Sequence, residues 1–211
     1  MSAELAQRRS ERRPPVHPLW LRVNHWLNAL AVLILIFSGW RIYNASPIWP
    51  FRFPDRFTLG GWLGGALLWH FAAMWLLAVN GIAYLALNLL TRRWRQRFWP
   101  LSLRAIWGDL TSALRGRLAH DDPRHYNAVQ KLAYLFVVAD SLLVVASGLV
   151  VWKSVQFPLL RELMGGYDNA RIVHFAAMAG LALFFVVHLV MVALVPRTLL
   201  YMTRGATGET T

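Results

Sequence analysis

Four apolar stretches constrain this chain more than any other feature. A helix needs roughly 20 apolar residues to cross about 30 Å of hydrocarbon. Stretches of that kind run over about residues 19–40, 63–90, 132–152 and 172–195. Lipid offers no partner to an open backbone, so apolar spans of this length fold as helices. The expected class is all-α: an integral membrane four-helix bundle. Pro47, Pro50 and Pro54 break the chain after the first span, Pro158 with Gly165 and Gly166 after the third, and Pro196 closes the fourth. Residues 1–18 form an N-terminal tail, 19–201 the bundle and 202–211 a C-terminal tail. The first tail carries Arg8, Arg9, Arg12 and Arg13 without an apolar run, and no small-residue cleavage site follows the first span, so it does not read as a secretory signal.

Composition agrees. Hydrophobic residues make up 57% of the chain, mean hydropathy is +0.40, and the eleven tryptophans suit membrane–water interfaces. The net charge of +12 invites a nucleic-acid partner, but its distribution explains it otherwise. Sixteen Lys and Arg fall on the side of the two tails and the second connection, against six on the other: Arg41, Arg52, Arg56, Lys153, Arg161 and Arg171. The positive-inside rule then puts both termini in the cytoplasm, with lipid rather than nucleic acid as the chain's surroundings. Within the second connection, Leu103, Ile106, Trp107, Leu110, Leu114 and Leu118 recur at helical spacing among Arg104, Arg115 and Arg117. This pattern predicts a short interfacial helix on the cytoplasmic side.

There are no cysteines, which excludes disulfides, iron–sulfur clusters, thiolate zinc and covalent c-type haem. Four of the seven histidines, His25, His70, His174 and His188, lie inside the spans; His17, His120 and His125 do not. Ionisable side chains at membrane depth are costly and point to function. One such histidine is easily a helix–helix hydrogen bond; four in depth-matched pairs are not so readily explained. His174 and His188 are 14 positions apart. At about 100° and 1.5 Å per residue they share nearly one face and stand about 21 Å apart along the axis. The pentapeptide His70-Phe71-Ala72-Ala73-Met74 returns as His174-Phe175-Ala176-Ala177-Met178, near the start of two spans that run the same way. His70 therefore matches His174 in depth toward the outer side, and His25 matches His188 toward the inner side.

Two imidazoles at each level fit two b-type haems stacked across the membrane, with the haem iron held by the pairs His70–His174 and His25–His188. Compact tetrahedral zinc does not fit paired depths without nearby carboxylates. A bis-imidazole iron has no open position and passes electrons. No catalytic residue is assigned. Met74 and Met178 are expected to pack on the rings rather than ligate. Gly39 and Gly81 lie near the His25 and His70 faces at the level of the opposite haem, where a porphyrin needs room, although small residues also serve plain helix packing. Arg22 on the inner side and Arg41, Lys153 and Arg171 on the outer side are candidates for the propionates or simply mark the interface. Asp140, Asn28 and Asn80 lie within spans, and a bond to a neighbouring helix is the expected role of Asp140.

These residues resemble a known family. Arg22-Val23-Asn24-His25-Trp26 opening span one, His70 in span two, and His174 with His188 in span four are similar to the bacterial di-haem cytochrome b subunits of nickel–iron hydrogenases, formate dehydrogenases and thiosulfate reductase-like molybdenum enzymes. The likeness covers about residues 17–200. Arg41-Ile42-Tyr43-Asn44, Gly60-Gly61-Trp62 and Trp69-His70-Phe71 look closest to the thiosulfate-reductase-like group. The resemblance implies a membrane anchor in a bacterial inner membrane that exchanges electrons between a quinone pool and a periplasmic redox enzyme of molybdopterin type. It also implies a quinone near the inner haem, where Asn24, Trp26 and Lys131 are candidates. Two other readings compete. One is a free-standing quinone-reducing oxidoreductase such as a superoxide oxidase, which needs a basic funnel at the outer haem. The other is a non-redox scaffold or transporter, which needs no haem.

Overall fold

The computed structural model describes residues 16–91, 107, 111 and 128–205. Among them the chain forms helices α1 (Leu19–Ala45), α2 (Leu63–Leu90), α3 (Ala128–Trp152), α4 (Pro158–Leu163), α5 (Tyr167–Leu194) and α6 (Arg197–Thr203), with a single 3₁₀ turn at Asp55–Phe57 and no strand. Helices α1, α2, α3 and α5 are long and apolar enough to cross a membrane. The 27 and 28 residues of α1 and α5 make each about 40 Å long at 1.5 Å per residue, more than the hydrocarbon thickness. Of the expected interfacial helix over 103–118, only Trp107 and Thr111 are among the described residues, and both are helical. The remainder of that segment, residues 1–15 of the first tail and 206–211 of the second lie outside them.

The helix starts depart from the hydropathy edges for local reasons. Span one continues to Ala45 because Arg41, Tyr43 and Asn44 are helix-compatible and nothing breaks the ladder before Pro47. Span four begins at Tyr167, right after Gly165 and Gly166, whose φ of 75° and 102° few other residues adopt. Span two is preceded by Gly60 at φ 107°, where a Cβ would lie 2.4 Å from the Ala66 nitrogen. Only glycine fits that turn.

The bundle is built from two antiparallel hairpins. Helix α1 packs along α2, and α3 packs along α5. Polar side chains join the first hairpin inside the apolar zone. Asn24 Nδ2 donates to the Asn80 carbonyl (2.9 Å) and to Asn80 Oδ1 (2.8 Å), and Asn80 Nδ2 donates back to the Asn24 carbonyl (2.9 Å) and to Asn28 Oδ1 (2.8 Å). Each such bond between helices contributes about 0.6–2 kcal/mol in a bilayer. Outward residues such as Leu68, Val79, Leu183 and Val190 are exposed, as lipid contact requires.

The two ends of the bundle are closed differently. At the end bearing both described termini, Arg22 Nη1 donates to the Thr203 carbonyl (2.7 Å) and Trp26 Nε1 to the Met202 carbonyl (3.2 Å), strapping α6 onto α1. At the opposite, loop end, residues 46–62 fold over α1. Asn44 clamps Phe53 by two backbone hydrogen bonds of 2.8 and 2.9 Å. Trp40 stacks on Phe53 at 4.6 Å, and Phe175 meets Tyr43 and Trp49 at 5.0 Å each. This aromatic lid ties the first hairpin to the residue beside His174.

Candidate functional site

The structure brings the four membrane histidines together as two pairs at different depths. At the loop end, the His70 ring on α2 faces the His174 ring on α5 with centroids 6.4 Å apart. At the terminal end, His25 on α1 faces His188 on α5 at 6.0 Å. In both pairs the ring planes cross at 66°. Two imidazoles bonded from opposite sides to one metal, at about 2.0–2.1 Å per bond, put their ring centres roughly 6.3 Å apart. Both pairs have that separation. Among the described residues no cluster of three or more His, Cys, Asp or Glu forms, so neither pair belongs to an all-protein cage. Each pair presents two facing imidazoles and no further protein ligand among the described residues.

Hydrogen bonds set the tautomer at the loop end. Ser38 Oγ donates to the Ile34 carbonyl (2.6 Å), so it accepts from His70 Nδ1, 3.0 Å away. Ser147 Oγ donates to the Leu143 carbonyl (2.7 Å) and lies 3.1 Å from His174 Nδ1, which also meets the Val144 carbonyl at 3.0 Å. A carbonyl can only accept, so Nδ1 carries the proton. Nε2 of both rings is then the nitrogen with the lone pair, turned toward the facing imidazole. Glycines admit these rings. A Cβ on Gly39 would lie 3.5 Å from His70 Cε1, and one on Gly148 would lie 3.1 Å from His174 Cε1.

The terminal-end pair is held by ring contacts instead. Phe184 stacks on His188 at 5.9 Å, and Trp26 packs edge-on to His25 at 5.4 Å. Among the described residues no hydrogen bond reaches either imidazole. Arg22 sits at this end with its Nε buried and without a hydrogen-bond partner among the described residues, a cationic group placed to receive an anion.

The remaining expected residues fall as follows. Gly39 lies beside His70, and a Cβ at Gly81 would meet nothing within 4 Å. Arg41 is paired with Asp55 (2.5 Å), and Arg171 Nη2 donates to the Ser46 carbonyl (2.6 Å) at the end of α1, so both have protein partners. Lys153 lies over the Trp152 ring at 4.9 Å. Asn24 spends its amide on Asn80, and Lys131 is half-buried on α3. Asp140 Oδ2 is buried beside Gly180 with no hydrogen-bond partner among the described residues. Sequence reasoning missed Ser38, Ser147 and Gly148. Their signal was available: Ser-Gly occurs once in the first span and once in the third.

Comparison with known proteins accords with this geometry. A putative protein-methionine-sulfoxide reductase subunit, YedZ1, from Azospira oryzae is 63% identical over 190 residues, which cover 90% of this chain and 96% of that protein. No solved structure matches the chain. The family model described as prokaryotic cytochrome b561 matches residues 16–205, every membrane helix and all four paired histidines included, and the chain belongs to that family.

Proposed function

We propose that this membrane cytochrome b carries two b-type haems, one per histidine pair, and passes electrons between the quinone pool and a periplasmic reductase. The observation that carries the reading is the two imidazole pairs, each at metal-bridging separation and set at the two ends of one bundle. When bound, such haems supply one-electron carriers whose axial positions are filled, with no site for substrate. His70 and His174 present Nε2 because serine and carbonyl partners hold Nδ1–H. Arg22 offers its unpartnered Nε to a propionate at the terminal end. At the loop end the cations Arg41 and Arg171 already have protein partners, which leaves Lys153 the freer candidate. The excess of Lys and Arg at the terminal end supports cytoplasmic termini, so that the terminal-end pair is inner and the loop-end pair outer. Quinone then exchanges electrons at the inner end, near Trp26 and Lys131.

The name of the relative from Azospira oryzae supports a partner that reduces methionine sulfoxide in proteins. The resemblance to the cytochromes of molybdenum enzymes favours a partner of molybdopterin type at the outer surface. Of the six cations on the outer side only Arg41 forms an ion pair among the described residues, with Asp55, so the free-standing superoxide-oxidising enzyme remains the second reading. The deciding experiment is a dithionite-reduced minus oxidised spectrum with pyridine haemochrome quantitation, followed by quinol oxidation with and without the reductase. Two haems per chain and reductase-dependent quinol oxidation are expected. Absence of haem in protein made with ample haem supply would return the histidines to a structural role. Quinone reduction by superoxide, without a partner, would select the free-standing enzyme.

A further inference from the structure

The two hairpins are copies of one design, and the copying reaches much further than the repeated pentapeptide. The shift that carries Ser38 onto Ser147 also carries Gly39 onto Gly148 and Arg22 onto Lys131. The shift that carries His70 onto His174 carries buried Ala66 onto buried Ala170 and buried Ala73 onto buried Ala177. The side-chain bonding is copied too: each serine donates to the carbonyl four residues earlier and meets the histidine of its own hairpin, at 3.0 Å in one copy and 3.1 Å in the other. Each of the helices α2 and α5 follows two glycines at positive φ. Both copies run in the same direction, so a pseudo-twofold axis along the bundle relates them, the parallel type of internal repeat.

The axis treats the two histidine pairs differently. It exchanges His70 with His174, so the outer pair lies on the axis and is its own image. It carries His25 onto Tyr134 and His188 onto Tyr84. The inner pair is therefore off the axis, and its image is the pair Tyr84–Tyr134. Those two side chains, on α2 and α3, meet through a hydrogen bond between their hydroxyls. The contact was not needed to define the repeat, yet it falls where the repeat requires one. Other inner positions differ in the same sense: Gly81, where a Cβ would meet nothing within 4 Å, has the bulky Phe185 as its image.

We propose that Tyr84 and Tyr134 close a second, twofold-related tetrapyrrole position at the inner level, and thereby confine the inner haem to the side of α1 and α5. The inference rests on His25 and His188 being haem ligands, as proposed above. A phenol bonded to another phenol has its oxygen already engaged, whereas an imidazole has a ring nitrogen to give to iron. Two phenols bonded to each other also satisfy their own polar groups inside an apolar bundle, which two unliganded imidazoles facing across a gap do not. The duplicated bundle is in this way left with one inner carrier, and electrons have a single inner route.

The test restores the ligands in the full-length protein. The variant Tyr84→His, Tyr134→His, Phe185→Gly is purified in detergent as a single folded species, and haem per chain is measured by pyridine haemochrome alongside low-temperature spectra of the low-spin iron. A rise from two haems to three, a 1.5-fold change, is expected. Two haems with unchanged spectra would overturn the proposal. A relocation variant guards against disturbed assembly. His25→Tyr with His188→Tyr should hold one haem, and adding the three substitutions above should return the count to two. A count that stays at one, with the outer haem's spectrum intact, overturns the proposal as well. Failure of the underlying ligand assignment is distinguishable, because His25→Tyr with His188→Tyr alone would then keep both haems.

Discussion

The loop-end and terminal-end histidine pairs, outer and inner in the orientation proposed above, have nearly the same ring separation, 6.4 and 6.0 Å, and reach it by different means. Each outer imidazole is fixed by a serine on the other helix of its hairpin and by a backbone carbonyl of that helix, Leu35 for His70 and Val144 for His174. Glycines press against both rings, and an aromatic lid closes the end. The inner imidazoles have ring neighbours and, among the described residues, no hydrogen bond. The outer site is thus preorganised by the repeat itself, since every support occurs twice. The inner site breaks the repeat and lies beside the strap of α6 on Arg22. Supports that fix tautomer and direction raise ligand basicity and hold affinity, so the two haems should differ in retention and in sensitivity to mutation.

The largest expected effect separates the pairs outright. His70→Ala or His174→Ala should halve the haem content by removing the outer haem, and His25→Ala or His188→Ala should halve it by removing the inner one. Pyridine haemochrome and difference spectra read this, and the pairing is wrong if all four variants keep two haems.

Next comes the glycine contact. Gly148→Val should abolish outer haem binding and spare the inner haem, because a Cβ there already stands 3.1 Å from His174 Cε1. Gly39→Ala, with 3.5 Å to His70, should be tolerated. Equal tolerance of both substitutions, in the same spectra, would remove steric fit from the comparison.

Smaller again is the loss of a serine. Ser38→Ala takes away the hydroxyl that receives His70 Nδ1–H and should weaken outer haem retention by about tenfold, at the low end for an outer-shell partner of a metal ligand. Ser147→Ala should cost about as much, since each histidine also has a backbone carbonyl partner, Leu35 for His70 and Val144 for His174. Haem transfer to apomyoglobin measures both, and a faster loss of the inner haem than of the outer would reverse the ranking. The smallest effect concerns the hairpin itself. Asn80→Leu removes three of the four bonds joining α1 to α2 and should destabilise the bundle by about 2 kcal/mol, with the inner haem released first on heating.

How far the sequence carries can be judged residue by residue. The spans were legible because the bilayer sets both their length and their apolarity. Their ends were less so. Hydropathy stops at residue 40 in the first span, but the backbone has no reason to stop before Pro47 and the helix runs to Ala45. The juxtaposition of His174 with His70 and of His188 with His25 followed from helical period and matched depth. The roles of Ser38, Ser147 and Gly148 did not, because each acts across a helix–helix contact that periodicity does not specify. Arg41 shows the converse: its position by the membrane surface was plain, and its engagement with Asp55 depends on how residues 46–62 fold back.

By itself the sequence determined the membrane helices, the absence of cysteine chemistry, and four intramembrane imidazoles at two depths, since all three follow from composition and from spacing along a single axis. Only the tertiary structure decided which nitrogen His70 and His174 present, that a serine meets each of them in the same way in both hairpins, and that Tyr84 meets Tyr134. The physical reason is that a helix fixes the direction and height of its own side chains, while the partner each one meets is set by how neighbouring helices pack against it.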